Sequence, residues 1–72
     1  MNIINNNIKP RTVLVNKHKT SISLEDEFWL EFKKISKNKK VSLNYLISKI
    51  DKTRNCSLSS AVRIFILNQK KN

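Results

Sequence analysis

Seventy-two residues carry fifteen lysines and arginines against five acids, a formal charge of +10, with no glycine and a single cysteine. A chain this short supports one small domain that buries about 60% of its unfolded surface, so it usually leans on a disulfide, a metal or a partner subunit. Cys56 alone excludes an intrachain disulfide, and His18 beside it makes no metal site, which leaves self-association.

Residues 1–10, rich in Asn and closed by Pro10, carry no periodic pattern and read as a flexible N-terminal arm ahead of a domain over 11–69 and a tail at 70–72. Thr12-Val13-Leu14-Val15 is a short run of strand formers, and the polar stretch Asn16–Lys19 can turn after it. From Thr20 to Leu24 the pattern alternates, with Ile22 and Leu24 on one face and Ser21 and Ser23 on the other. Charge is then blocked. Glu25, Asp26, Glu27 and Glu31 precede Lys33, Lys34, Lys37, Lys39 and Lys40, the order a helix dipole favours. A helix is expected from about Glu25 to Asn38, its apolar stripe formed by Phe28, Phe32 and Ile35 and widened by Trp29.

Ser42 is a good N-cap for a second helix, which buries Leu43, Leu46, Ile47 and Ile50 at one spacing. Lys52-Thr53-Arg54-Asn55 break that pattern. Ser57 caps a third helix, with Leu58, Ala61, Val62, Phe65 and Ile66 on its apolar face and an end near Asn68. Trp29, Phe28, Phe32, Tyr45 and Phe65 fall at helical spacing, which assigns them to the core rather than to base stacking. Cys56 reads as a small apolar filler at the start of the third helix.

The alternating strand needs a partner, because its edges carry unpaired backbone groups. One solution is the same strand of a second copy, antiparallel across a two-fold axis. A shared dimer core would then hold Ile22, Leu24, Phe28, Phe32, Ile35, Leu46, Ile47 and Ile50. The other is an intrachain hairpin of residues 12–16 with 20–24, and the two do not exclude each other.

The positive charge favours polyanions, nucleic acid before anionic membrane. Asn, Lys and Ile make up 31 of the 72 residues, a bias that A/T-rich coding alone would produce, so part of the lysine content is compositional. No apolar run reaches the roughly 20 residues of a membrane span, and the chain reads as soluble and cytoplasmic, with no membrane partner. Without glycine there is no phosphate-cradling glycine loop, and no carboxylate–histidine constellation is present. Neither an enzyme nor a cofactor is expected.

The block His18-Lys19-Thr20-Ser21-Ile22-Ser23-Leu24-Glu25 followed by Phe28-Trp29 resembles the ribbon-helix-helix DNA-binding family, to which the Arc and methionine repressors belong. It is similar above all to the subgroup with the motif T-S-I-S-L-E-x-x-F-W. Further similarity lies at Ser42-Leu43, at Ile50-Asp51 and at Leu58-Ser59-Ser60-Ala61-Val62-Arg63, and the whole covers about residues 11–67. The resemblance implies a mainly α fold with a short β-ribbon, an intertwined homodimer with an added C-terminal helix. The family commonly places glycine in the turn between its two helices. Here Asn38, Lys39 and Lys40 stand there, and Asn38 best tolerates a left-handed backbone.

In the family's binding mode the ribbon enters the DNA major groove. The resemblance therefore implies base contacts from Lys19, Ser21 and Ser23, where the plain alternative is a solvated strand face. The start of the second helix, Ser42 and Leu43, offers free N–H groups to a phosphate, with Lys39 and Lys40 adding charge; the plain alternative is a routine cap beside a lysine run. Arg11, Lys17 and His18 are candidates for flanking phosphates, or else a basic arm without a ligand. The function implied is double-stranded DNA binding by a nucleoid-associated transcriptional regulator or repressor. The alternatives are the DNA-binding antitoxin of a toxin–antitoxin pair, holding its toxin through the third helix, and a dimeric protein-interaction module with only nonspecific polyanion affinity.

Overall fold

Residues 8–70, the part of the chain that the computed structural model describes, form a two-stranded antiparallel ribbon followed by three helices. Strand β1 (Ile8–Val15) pairs with strand β2 (His18–Glu25), placing Arg11 opposite Ile22, Thr12 opposite Ser21 and Leu14 opposite Lys19. The alternating strand thus finds a partner within the chain, as the hairpin alternative expects.

The connection is tighter than the expected Asn16–Lys19 turn. Only Asn16 and Lys17 form it, with φ of 51° and 70°. Positive φ at both central residues marks a type I′ turn, whose twist matches that of the flanking strands. His18 and Lys19 are therefore already in β2. β1 also begins earlier than expected, so residues 8–10 belong to the ribbon and not to an arm. The remainder of the expected arm, residues 1–7, and residues 71–72 of the tail lie outside the described residues. Pro10 fits inside β1 because it stands opposite Ser23, whose N–H turns away to Ser59. At such a position neither strand needs a ladder donor.

Helix α1 (Asp26–Lys39) has Asp26 and Glu27 in its first turn and Lys37 and Lys39 in its last, complementing the dipole at both ends. It stops in a Schellman arrangement: Lys40 N–H donates to the Lys37 carbonyl and Val41 N–H to the Ser36 carbonyl, each at 3.1 Å. The left-handed residue is Lys40 (φ 58°) and not Asn38, which is still helical. Reversal at Lys40 lets Val41, the next residue, pack against the core. Helix α2 (Leu43–Thr53) starts where Ser42 Oγ accepts from Tyr45 N–H at 3.0 Å. Helix α3 (Leu58–Lys70) starts likewise, with Ser57 Oγ accepting from Ser60 N–H at 3.2 Å.

The core combines Val13 of β1, Ile22 and Leu24 of β2, Phe32 and Ile35 of α1, Leu46 and Ile47 of α2, and Val62 and Ile66 of α3. Phe28 and Ile50 are half-buried against it. Phe32 is the hinge of its aromatic packing, with the Phe65 ring edge-on at 6.1 Å and the Trp29 ring tilted at 6.4 Å. Of the residues assigned to a shared dimer core, six are already buried within one chain. Two core assignments are corrected. Tyr45 is half-exposed, lying off the Leu43–Leu46–Ile47–Ile50 stripe, and Cys56 is exposed in the segment before α3.

Both outer edges of the ribbon are clamped by helix side chains. Leu14 N–H donates to Asn44 Oδ1 of α2 at 3.1 Å. On the other edge Ser23 N–H donates to Ser59 Oγ at 2.9 Å, and the Arg63 guanidinium donates to the Ser23 carbonyl at 3.1 Å. The Leu14 N–H and both backbone groups of Ser23, which would otherwise template pairing with another chain, are thereby engaged.

Candidate nucleic-acid interface

The ribbon buries one face, that of Val13, Ile22 and Leu24, against the helices. Its opposite face therefore carries Lys19, Ser21 and Ser23 from β2, all exposed. The register sets them beside Leu14, Thr12 and Pro10 of β1, respectively, which are also exposed. Lys17 in the turn and His18, which pairs with Val15 at the start of β2 on the other face, are exposed at the ribbon tip.

The second group of expected residues is built by the α1–α2 junction. Lys39 and Lys40 are exposed, and Lys40 is held in its left-handed conformation by the two hydrogen bonds of the helix end. Ser42 Oγ satisfies the Tyr45 N–H. By helix geometry the N–H groups of Leu43 and Asn44 have no intrahelical acceptor, the condition for holding an anion at a helix start. The Leu43 side chain is half-buried on the core, so this residue presents its backbone.

The Leu14–Asn44 hydrogen bond joins the two groups. It ties the first turn of α2 to β1 at the residue paired with Lys19. Adjacent strands lie less than about 5 Å apart, so the helix start is fixed beside the tip half of the ribbon. The sequence pattern presents the two groups as separate, and Asn44 is the residue that joins them without a local signal. An Asn two positions after an N-cap has no sequence signature of a contact thirty residues away.

Arg11 departs from its expected place at a flanking phosphate. It points to the buried side of the ribbon, where its guanidinium donates to Asp26 Oδ1 at 2.5 Å and stacks 4.9 Å from the Trp29 ring centroid. Ion pair and cation–π contact hold it there. Arg63 bridges Ser23 and Glu25 Oε1, the latter at 3.0 Å, and lies over Phe28 at 6.0 Å. Arg54 pairs with Asp51 at 2.7 Å and donates to the Cys56 carbonyl. All three arginines of the chain are therefore engaged internally, and the exposed cations of the site are lysines. The Glu25 carboxyl is held below its ordinary range, first by a hydrogen bond from its own backbone N–H and then by Arg63.

Among the described residues no helix is long and apolar enough to cross a membrane, and no group of three His, Cys, Asp or Glu is placed to hold a metal. A family model described as a ribbon-helix-helix domain matches residues 8–70. No curated protein and no solved structure matches the chain at significance.

Proposed function

The chain belongs to the ribbon-helix-helix family, and from that premise we propose that it is a sequence-preferring binder of double-stranded DNA. The family is in general one of DNA-binding transcription regulators or antitoxins, with a non-enzymatic fold. In this reading the protein is a cytoplasmic, nucleoid-associated regulator, a repressor in the simplest case, that acts as a homodimer.

The observation that carries the reading is the union of the ribbon face and the α2 start through Leu14 and Asn44. A two-stranded ribbon fits the B-DNA major groove, about 12 Å wide. Lys19 then donates to guanine O6 or N7, while Ser21 and Ser23 donate to or accept from several bases. Lys39, Lys40 and the N–H groups of Ser42 and Leu43 take phosphate oxygens, with Lys17 and His18 at the tip reaching the flanking backbone. With the arginines held internally, these contacts come from lysine point charges, which position the protein more than they discriminate. Two protomers on neighbouring half-sites supply the rest of the selectivity.

The antitoxin alternative requires α3 to hold a toxin. Val62 and Ile66 of that helix are buried in this chain's own core, leaving half-exposed Ile64 and Leu67 for the task. The test is selection of duplexes from a random pool by the full-length chain, followed by titration of Lys19→Ala. We expect one enriched sequence, on which Lys19→Ala loses roughly 1–3 kcal/mol and on random duplex far less. Absence of any enriched sequence would leave a nonspecific polyanion binder.

A further inference from the structure

Strand β1 reverses the usual order of a half-buried strand. Its inward positions include Lys9 and Arg11, which pair with Asp26, while its solvent-facing positions are Ile8, Pro10, Thr12 and Leu14. An antiparallel strand with one wet face ordinarily puts its charged residues on that face. Here the outward positions of β1 itself hold no charge, in a chain of net charge +10, and Lys9 on the other side keeps its side chain 60% exposed beside Asp26. Ile8 is 49% exposed and Leu14 41%. Single exposed apolar side chains are ordinary. A strand whose every outward position is apolar or methyl-bearing is not.

We propose that this face, centred on Leu14 and Thr12, reads thymine methyl groups in the major groove. The proposal rests on the DNA-binding reading above and gives β1 a part in base readout beside β2. Three observations choose the occupant. The thymine C5-methyl is the one apolar group that the major-groove base edges display, and aliphatic or Thr methyl groups meet it. Leu14 stands directly opposite Lys19, and Thr12 opposite Ser21, so an apolar half and a polar half of one ribbon would face neighbouring bases. The Leu14 backbone is fixed by Asn44, which lets its side chain be held in register with the helix start. A second copy stacked on the same face would bring the Lys19 side chains of two chains of charge +10 together, whereas a duplex neutralises them.

The experiment uses the full-length protein and its selected duplex, with each thymine of the site replaced in turn by uracil, which removes only the methyl. Wild type should lose about fourfold in affinity at one or two thymines per half-site, the factor for one methyl-sized group buried, about 0.8 kcal/mol. Leu14→Ala should bind the thymine and uracil duplexes equally at the position it covers, and Thr12→Ser should do so at the neighbouring one. Because the uracil arm alters only the DNA, its outcome does not depend on how a variant folds. A preferred site in which every thymine tolerates uracil overturns the methyl reader and leaves the Lys19 reading standing. No preferred site at all overturns both. Should Leu14→Ala instead change the sedimenting mass of the free protein, the face is a self-association surface and the proposal falls.

Discussion

Two lysines occupy backbone conformations that nature usually gives to glycine. Lys17 (φ 70°) is the second central residue of the type I′ turn, and Lys40 (φ 58°) is the left-handed residue after α1. Both carry a Cβ into a region where it crowds the following carbonyl, at a cost of roughly 1–2 kcal/mol. Glycine avoids that clash but is more disordered in the unfolded chain, which returns about half of the gain. Lys17→Gly and Lys40→Gly should therefore each stabilise the protein by about 0.5–1 kcal/mol in denaturant titration, and nearly additively, since they lie in separate turns. Asn16→Gly is the internal comparison. Asn is several-fold enriched at positive φ, so its replacement should gain clearly less. Equal gains at all three positions would show that the backbone angles do not set the cost. That lysines persist at both sites is consistent with their charge being used, because each lies beside the basic tip or the α2 start.

At the level of elements, what the sequence announces is local, and what it conceals is long-range. The acid-then-lysine block and the Ser42 and Ser57 caps place the helices to within a residue or two, since dipole and cap chemistry act within one turn. The alternation of Ile22 and Leu24 gives the β2 faces directly. β1 was half legible: Thr12–Val15 looks like a strand, but Pro10 looks like a stop until Ser23 is seen to need no partner there. Nothing local links Ser59 and Arg63 to Ser23, or Arg11 to Asp26, so the edge clamps and the inward turn of Arg11 were beyond reach. The hydrogen bonds to the Glu25 carboxylate, from its own backbone N–H first and then from Arg63, have a measurable consequence. Glu25 titrates below its ordinary 4.5 in the folded state, so it stabilises the fold above that pH and stops doing so as pH falls through its lowered folded value. The melting midpoint should drop over that acid window, and Glu25→Gln should flatten the drop while leaving the helices in place. Parallel acid limbs for wild type and Glu25→Gln would remove the clamp from the list of contributors to stability.

For the whole molecule, length alone argues that folding needs a second copy, while the described residues of one chain already bury a core of their own. The ribbon is completed by β1, and α3 adds Val62 and Ile66 to the core, while Leu30, Ile64 and Leu67 stay half-exposed. We predict that a homodimer assembled for DNA binding is separable from folding. Charge points the same way. At +10, two copies repel each other in dilute salt, and a duplex that neutralises Lys19, Lys39 and Lys40 removes that repulsion. The protein without DNA should sediment as a monomer at low salt and melt at one midpoint over a hundredfold range of concentration. An obligate dimer would gain about 2.7 kcal/mol of apparent stability over the same range, easily visible as a rising midpoint. On a duplex carrying two half-sites, binding should become cooperative with two protomers bound, and raising salt should weaken it steeply through release of phosphate counterions. A midpoint that climbs with concentration would mean that a partner strand does contribute to the core, returning β2 to pairing across a two-fold axis and requiring Ser59 and Arg63 to release Ser23.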